Sequence, residues 1–275
     1  MMGTPNMDFF VRETRAVVHG PMCIIRLGSC GGIGDGSVGD VAVADSAVAI
    51  SRNFDAFTAD AAAAAAEPPY LISKPVAADA GLTASLKANI EAAIAHQAGA
   101  LDSKVVVGLN ATADSFYSSQ GRTDTAFDDR NEALFDAIRT KYPAAQTLEM
   151  ETFMLYHLAQ CATPVAVSVE GTAGAPQLAV AKSTSYMITP TPSIPSSGDT
   201  TPELRPAAEP AAAAAAAATE VAAAASTAAS SIKASAAMII FAGRKSNAFI
   251  TPDRVSMLQA ATGRAVLKTL AEAVL

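Results

Sequence analysis

Short apolar and β-branched runs alternate along this chain with segments whose apolar residues recur every three or four positions. That alternation limits the fold more than any other feature. Met22–Leu27 (MCIIRL) and Lys104–Leu109 (KVVVGL) read as buried strands. Val38–Ile50 alternates enough for one or two more, and Tyr70–Val76 and Ala236–Ala242 (AAMIIFA) add others. Between them, Leu82–His96, Asn131–Tyr142, Glu149–Ala159 and Pro252–Leu275 carry helical spacing. Thr4-Pro5, followed by Met7, Phe10, Val11, Val17 and Val18, predicts a capped helix with Pro5 at its first position, ended by His19-Gly20-Pro21. Strands alternating with helices argue for an α/β domain whose mostly parallel sheet is covered on both faces. In such sheets ligands sit at the carboxyl ends of the strands.

The chain has 275 residues, enough for one large domain or two modest ones. Hydrophobic residues make up 51% and charged residues 16%, but part of the apolar share is alanine, which adds helix propensity more than core. Asp60–Pro69 contains six consecutive alanines and reads as a loop insertion with some helical tendency. Residues 161–235 are rich in Ala, Pro, Ser and Thr, with eight alanines in a row at 211–218. They are expected to form a low-complexity insertion, with Pro164–Glu170 a strand candidate inside it. Residues 1–160 and 236–275 would then make the folded domain.

Nineteen basic against 26 acidic residues leave a net charge of −7, which disfavours nucleic-acid partners. A small anion needs only a local cluster of donors, so it stays open. Cys23, Cys30 and Cys161 are far apart, with no CxxC or Cys/His zinc spacing, so no metal site is expected and a reduced compartment is the simpler reading. Met1–Asn6 lacks a basic stretch leading into an apolar one, and the longest apolar stretches are alanine-dominated and interrupted. The expectation is a soluble cytoplasmic protein without a membrane span.

Three segments carry chemistry. In Ile24–Gly32 (IIRLGSCGG), Arg26 stands at a strand end before a glycine-rich turn, Gly28–Gly36. Arg26 supplies a fixed positive fork, the glycines let backbone N–H groups approach an oxyanion, and Ser29 adds a hydroxyl. On pattern alone a structural turn with Arg26 in a salt bridge is the favoured reading. It is neither a P-loop nor a dinucleotide fingerprint. In Phe116–Arg122 (FYSSQGR), Gln120 and Arg122 offer donors and an acceptor suited to the edge of a uracil ring, and Phe116 a face for stacking. A polar loop with one packed aromatic is the plain alternative. In Leu148–Thr152 (LEMET), Glu149 and Glu151 flank Met150 at an expected helix start. They read either as partners of the helix dipole or as acceptors for ribose hydroxyls beside a methionine.

Together the three segments make an anion site, a base reader and a sugar clamp. In the order IIRLGSCGGI, FYSSQGRTDT, LEMET and MIIFAGRKSN, the chain resembles the uridine phosphorylases of the nucleoside phosphorylase superfamily, over about residues 1–57, 69–160 and 236–275. Met2-Gly3-Thr4-Pro5 resembles that family's Met-Gly-Gly/Thr-Pro turn. The resemblance implies a three-layer α/β/α domain with a central mixed sheet. It implies that Arg26, Gly28 and Ser29 hold phosphate, that Phe116, Gln120 and Arg122 bind uracil, and that Glu149, Met150 and Glu151 bind ribose, with Arg244 in a loop near the base. Arg26, Arg122 and Glu151 would be the catalytic groups. It further implies a dimer or hexamer and no cofactor or catalytic metal, phosphate being a co-substrate.

The chemistry implied is phosphorolysis of uridine through an oxocarbenium-like sugar. Family members carry further strands, with more phosphate and ribose ligands, before the Met-Gly-Gly-Pro turn, so the chain is expected to be N-terminally truncated. A catalytically impaired fragment of the same fold, and a purine nucleoside phosphorylase or nucleosidase with Asn247 near the base, are the competing expectations.

Overall fold

Each apolar run named above, among the residues described, becomes a strand. A computed structural model of the chain describes residues 2–58, 66–97, 101–163, 232–244 and 246–273. The elements in order are α1 (Thr4–Val17), β1 (Met22–Gly32), β2 (Val41–Arg52), β3 (Tyr70–Ile72), β4 (Val76–Ala77), α2 (Ala80–Ala95), β5 (Val105–Ala113), α3 (Leu134–Lys141), β6 (Ala145–Glu149), α4 (Thr152–Cys161), β7 (Ile232–Gly243) and α5 (Pro252–Glu272). Two single turns of 3-10 helix, Phe54–Phe57 and Ser118–Gln120, lie between them. All described residues belong to one compact unit, Met1–Val165 with Ala229–Leu275. The second unit, Ala166–Ala228, lies outside them, as do the strand expected at Pro164–Glu170 and the alanine-rich residues 59–65.

The strands follow the order β3-β2-β5-β6-β1-β7, with β4 beside β2. The sheet is mixed, not mostly parallel. Its two longest ladders, β1–β7 and β2–β5, are parallel, while β7 also pairs antiparallel with β2 through Val41–Ala44. That last pairing closes β2, β5, β6, β1 and β7 on themselves and removes the edges such a sheet would otherwise expose.

The period of two along the strands explains the layers. Ala42 and Ala44 of β2, with Ala236 and Met238 of β7, face α1 and α4, where Met7, Val11, Leu155 and Tyr156 cover them. Val41 and Val43, with Ala237 and Ile239, face the other way onto Leu86 and Ile90 of α2 and Leu258 and Val266 of α5. The result is the three-layer α/β/α arrangement. A third cluster seats α3 through Leu134 and Ile138 on Ile50, Ala111 and Leu148.

Several local expectations need correction. Helix α1 begins at Thr4 with Gly3 at the N-cap and no side-chain cap, so Pro5 is its second residue. Proline costs nothing there, because first-turn N–H groups have no partner in the helix. The glycine-rich stretch from Gly28 to Gly32 is not a turn. Pairing with β7 carries β1 straight through it, with a bulge between Cys30 and Gly31. Glu149 does not start a helix: it ends β6, and α4 begins at Thr152. Residues 232–235, expected in the insertion, are the first residues of β7, where Ile232 and Ala234 are buried.

Candidate active site

The carboxyl ends of β1, β6 and β7 surround a cleft of about 660 Å³. Arg26, Gly28, Ser29, Phe116, Gln120, Arg122, Glu149, Met150, Glu151 and Arg244 all line it, so the three segments separated in sequence do meet. Asn247, the residue weighed for a purine base, is not among its lining residues.

Arg26 projects from the middle of β1 into a buried acidic corner. Its Nη2 donates to Glu151 Oε2 and lies 3.0 Å from Glu149 Oε2. The salt-bridge reading of Arg26 therefore holds, yet its Nη1 is buried with no hydrogen-bond partner. A buried guanidinium N–H left without an acceptor is costly, so Nη1 is a donor in want of an acceptor. Burial opposes the charge of Arg26, but Glu149 and Glu151 outweigh it and raise its pKa. Gly28 makes this possible. It sits two residues on, on the same face of the strand, and a Cβ there would lie 2.7 Å from Arg26 Nη1. Gly28→Ala is therefore expected to push the fork aside and weaken inorganic phosphate binding by about tenfold, on the scale of one charged hydrogen bond. Calorimetric titration of phosphate into wild type and variant checks this; equal affinity would show that the anion does not sit against Arg26.

Glu149 and Glu151 have different work. Glu149 Oε1 accepts from Asn110 Nδ2 and Thr112 Oγ1, each at 2.6 Å, and from the Thr152 amide. Its Oε2 accepts from the Glu151 amide at 2.8 Å and the Thr152 amide at 3.0 Å. Burial would raise its pKa, but Arg26 and the bonds from Thr112, the Glu151 amide and Asn110 prevail and hold it below the usual carboxylate range. With both oxygens occupied, Glu149 caps α4 and anchors Arg26. Glu151 keeps spare lone pairs. One oxygen accepts from the Gly3 amide and the other from Arg26, and a carboxylate can accept about four hydrogen bonds in all. Gly3 reaches it with a φ of 83°, a conformation that favours glycine, and a Cβ there would lie 3.6 Å from the Met150 methyl.

At the other end of the cleft, Gln120 Oε1 accepts from Arg122 Nη1 at 2.7 Å and from Arg244 Nη2 at 2.9 Å. The Arg122 guanidinium lies 3.7 Å above the Phe116 ring and also donates to the Phe116 carbonyl. Phe116 is thus a platform with one face covered by Arg122. Burial and the like charge of Arg244 push the Arg122 pKa down to about 10, which leaves it a cation at neutral pH. Burial also lowers that of Arg244, whose Nε is buried without a partner. A Cβ on Gly31 would lie 2.7 Å from that Nε. Gly28 and Gly31 thus mark two guanidinium seats three residues apart on one strand, roughly 10 Å.

The sequence reading missed the apolar walls, Met7, Phe10, Phe241 and Phe249, and the residues behind Glu149. Asn110 and Thr112 were visible as polar residues at alternate positions after a β-branched run, where a buried strand should stay apolar. Among the described residues no group of three His, Cys, Asp or Glu side chains could hold a metal ion, and no helix is long and apolar enough to cross a membrane.

The geometry has counterparts in known proteins. A model of the phosphorylase superfamily matches residues 1–175. A structure from work on two diverse uridine phosphorylases of the oomycete Phytophthora capsici is 32% identical, aligns over 100% of this chain and 74% of its own, and superposes with a TM-score of 0.71. A Trypanosoma brucei nucleoside phosphorylase with uridine phosphorylase activity shares the fold at 15% identity, over 99% of this chain and 78% of its own, with a TM-score of 0.56. Uridine phosphorylase of Schistosoma mansoni in complex with thymine does so at 14% identity, over 98% and 70%, with a TM-score of 0.53. No curated protein sequence matches significantly. With a matched superfamily model, a relative 32% identical across the whole of this chain, and the three motif segments gathered in one cleft, the chain belongs to the phosphorylase superfamily, as a nucleoside phosphorylase of the uridine phosphorylase type.

Proposed function

We propose that the protein catalyses phosphorolysis of uridine to uracil and ribose 1-phosphate, with inorganic phosphate as co-substrate and no cofactor. The observation that carries the reading is the division of charge along the cleft. Glu149 and Glu151 share one guanidinium at one end, and Arg122 and Arg244 converge on a neutral amide at the other. Breaking a glycosidic bond makes the sugar positive and the leaving base negative. The cleft offers the matching field at each end before the reaction begins.

In this reading the free Nη1 of Arg26 and the hydroxyl of Ser29 take phosphate, and the spare lone pairs of Glu151 take ribose hydroxyls beside Met150. Uracil stacks near Phe116. Its carbonyls draw Arg122 and Arg244 to themselves, which frees the Gln120 oxygen to accept the ring N–H while the amide nitrogen donates. Catalysis is positioning and electrostatic stabilisation, without a covalent intermediate. The 32% identity to a uridine phosphorylase supports the choice of base. The same reading makes the protein a cytoplasmic homodimer or homohexamer of pyrimidine salvage.

The test is uracil release from uridine by the full chain, with and without phosphate, beside thymidine, inosine and adenosine. Release that ignores phosphate, or a preference for the purine nucleosides, would overturn the assignment. Gln120→Ala and Arg122→Ala are each expected to lower kcat/KM for uridine by about 10²-fold, the scale of one donor to a developing anion. Activity at wild-type level in both would remove the base-binding role.

A further inference from the structure

We propose that Asn131, which does not line the cleft, is the positioning residue that fixes Gln120 and Arg122 for the base; the role rests on the uridine reading above. Gln120 ends a 3-10 turn of only three residues, Ser118–Gln120, and Arg122 follows a left-handed Gly121 with φ of 61°. So short a turn has little stability of its own and must be fastened from outside. One fastener acts before Gln120: Asp114, at the end of β5, accepts from Ser119 Oγ. The other spans it. Asn131 Nδ2 donates to the Ser118 carbonyl at 3.0 Å and to the Arg122 carbonyl at 2.8 Å, one on each side of Gln120.

The Asn131 side chain is buried, and its NH2 group is the one part of an asparagine that can serve two carbonyls at once. This use of the side chain accounts for the late start of α3. Asn131 was expected inside that helix, but it stands three residues ahead of it and bonds outward. Phe135, the second residue of α3, closes over Gly121, so the turn is held between α3 and the end of β5.

Aspartate has the shape of asparagine but sets one carboxylate oxygen, in place of Nδ2, against both carbonyls. Asn131→Asp is therefore expected to raise the dissociation constant for uracil and the KM for uridine by about tenfold or more, since small displacements of positioning groups are costly. The KM for phosphate, set by Arg26 at the far end, is expected to stay within about twofold. Asn131→Ala, which removes the donors without repulsion, should move the same two quantities in the same direction by a smaller factor, and it carries the test if the aspartate variant fails to fold. A purely structural role would lower the melting temperature and the active fraction while leaving uracil affinity unchanged in the folded protein, and that result overturns the proposal. So does an equal rise in both KM values. If wild-type protein binds no uracil and cleaves no nucleoside, the uridine reading falls and this role falls with it; if wild type binds uracil and both variants bind it equally well, only the role of Asn131 is lost.

Discussion

Arg26→Lys is expected to lower phosphate-dependent cleavage by about 10²–10³-fold in kcat/KM, mainly by weakening phosphate binding, while the protein stays folded. The guanidinium does two things with one rigid fork. Nη2 neutralises Glu149 and Glu151, and Nη1 has no acceptor among them, which the proposed reading gives to phosphate. A lysine ammonium keeps the charge but is a single point on a flexible stem. It can serve the carboxylates or the phosphate, and the buried carboxylates are nearer. Arg26→Ala should do more. It leaves two buried carboxylates without a counter-ion, and removing one partner of a buried pair costs about 3–5 kcal/mol of stability. Thermal melts with phosphate titrations at saturating uridine separate the effects. A lysine variant with wild-type KM for phosphate would reduce Arg26 to a purely structural ion pair.

The site was more legible in the sequence than the backbone that carries it. Arg26, Gln120, Arg122 and Glu151 are legible through the resemblance of their segments to a family; on residue type alone a structural turn, a polar loop and partners of a helix dipole fit as well. A charge inside a buried strand and an amide beside a guanidinium in a loop both call for partners. The backbone was misread where glycine was taken as a signal to turn. Gly28 and Gly31 lie in a paired strand, and their role is to be thin enough for Arg26 and Arg244 to lie over them. For Gly31 only the packing of the distant Arg244 reveals that, and for Gly28 the pairing of β1 with β7 that keeps Arg26 on the same face. Strand β6 was hidden for a related reason. Ala145–Glu149 is short, mixes polar with apolar residues, and becomes a strand because β5 and the end of β1 lie on either side of it. The closure of the sheet through β2 and β7 likewise joins segments about two hundred residues apart in sequence.

The division of labour between the two glutamates has the sharpest consequence for stability. Glu149 lies buried with an acceptor contact for every donor around it, and its pKa is held below the ordinary carboxylate value of about 4.3. A carboxylate depressed in the folded state adds stability that is fully present above its unfolded pKa and disappears as pH falls through the folded one. Wild-type stability should therefore hold across neutral pH and decline below about pH 4. Glu149→Gln removes that contribution at every pH. It also turns an NH2 group toward donors, Asn110 Nδ2 and Thr112 Oγ1 or the amides of Glu151 and Thr152, and leaves Arg26 with Glu151 alone. The expected loss is about 3–5 kcal/mol at pH 7. Because the variant has no carboxylate at this position to protonate, its acid limb should be flatter, and the gap to wild type should narrow as pH falls. Denaturant unfolding at a series of pH values measures both curves. Parallel acid limbs would mean that Glu149 does not titrate with folding. In kinetics, Glu149→Gln should raise the KM for phosphate more than that for uridine, because the contact Glu149 makes is with Arg26; a larger effect on uridine would return it to the ribose site beside Glu151.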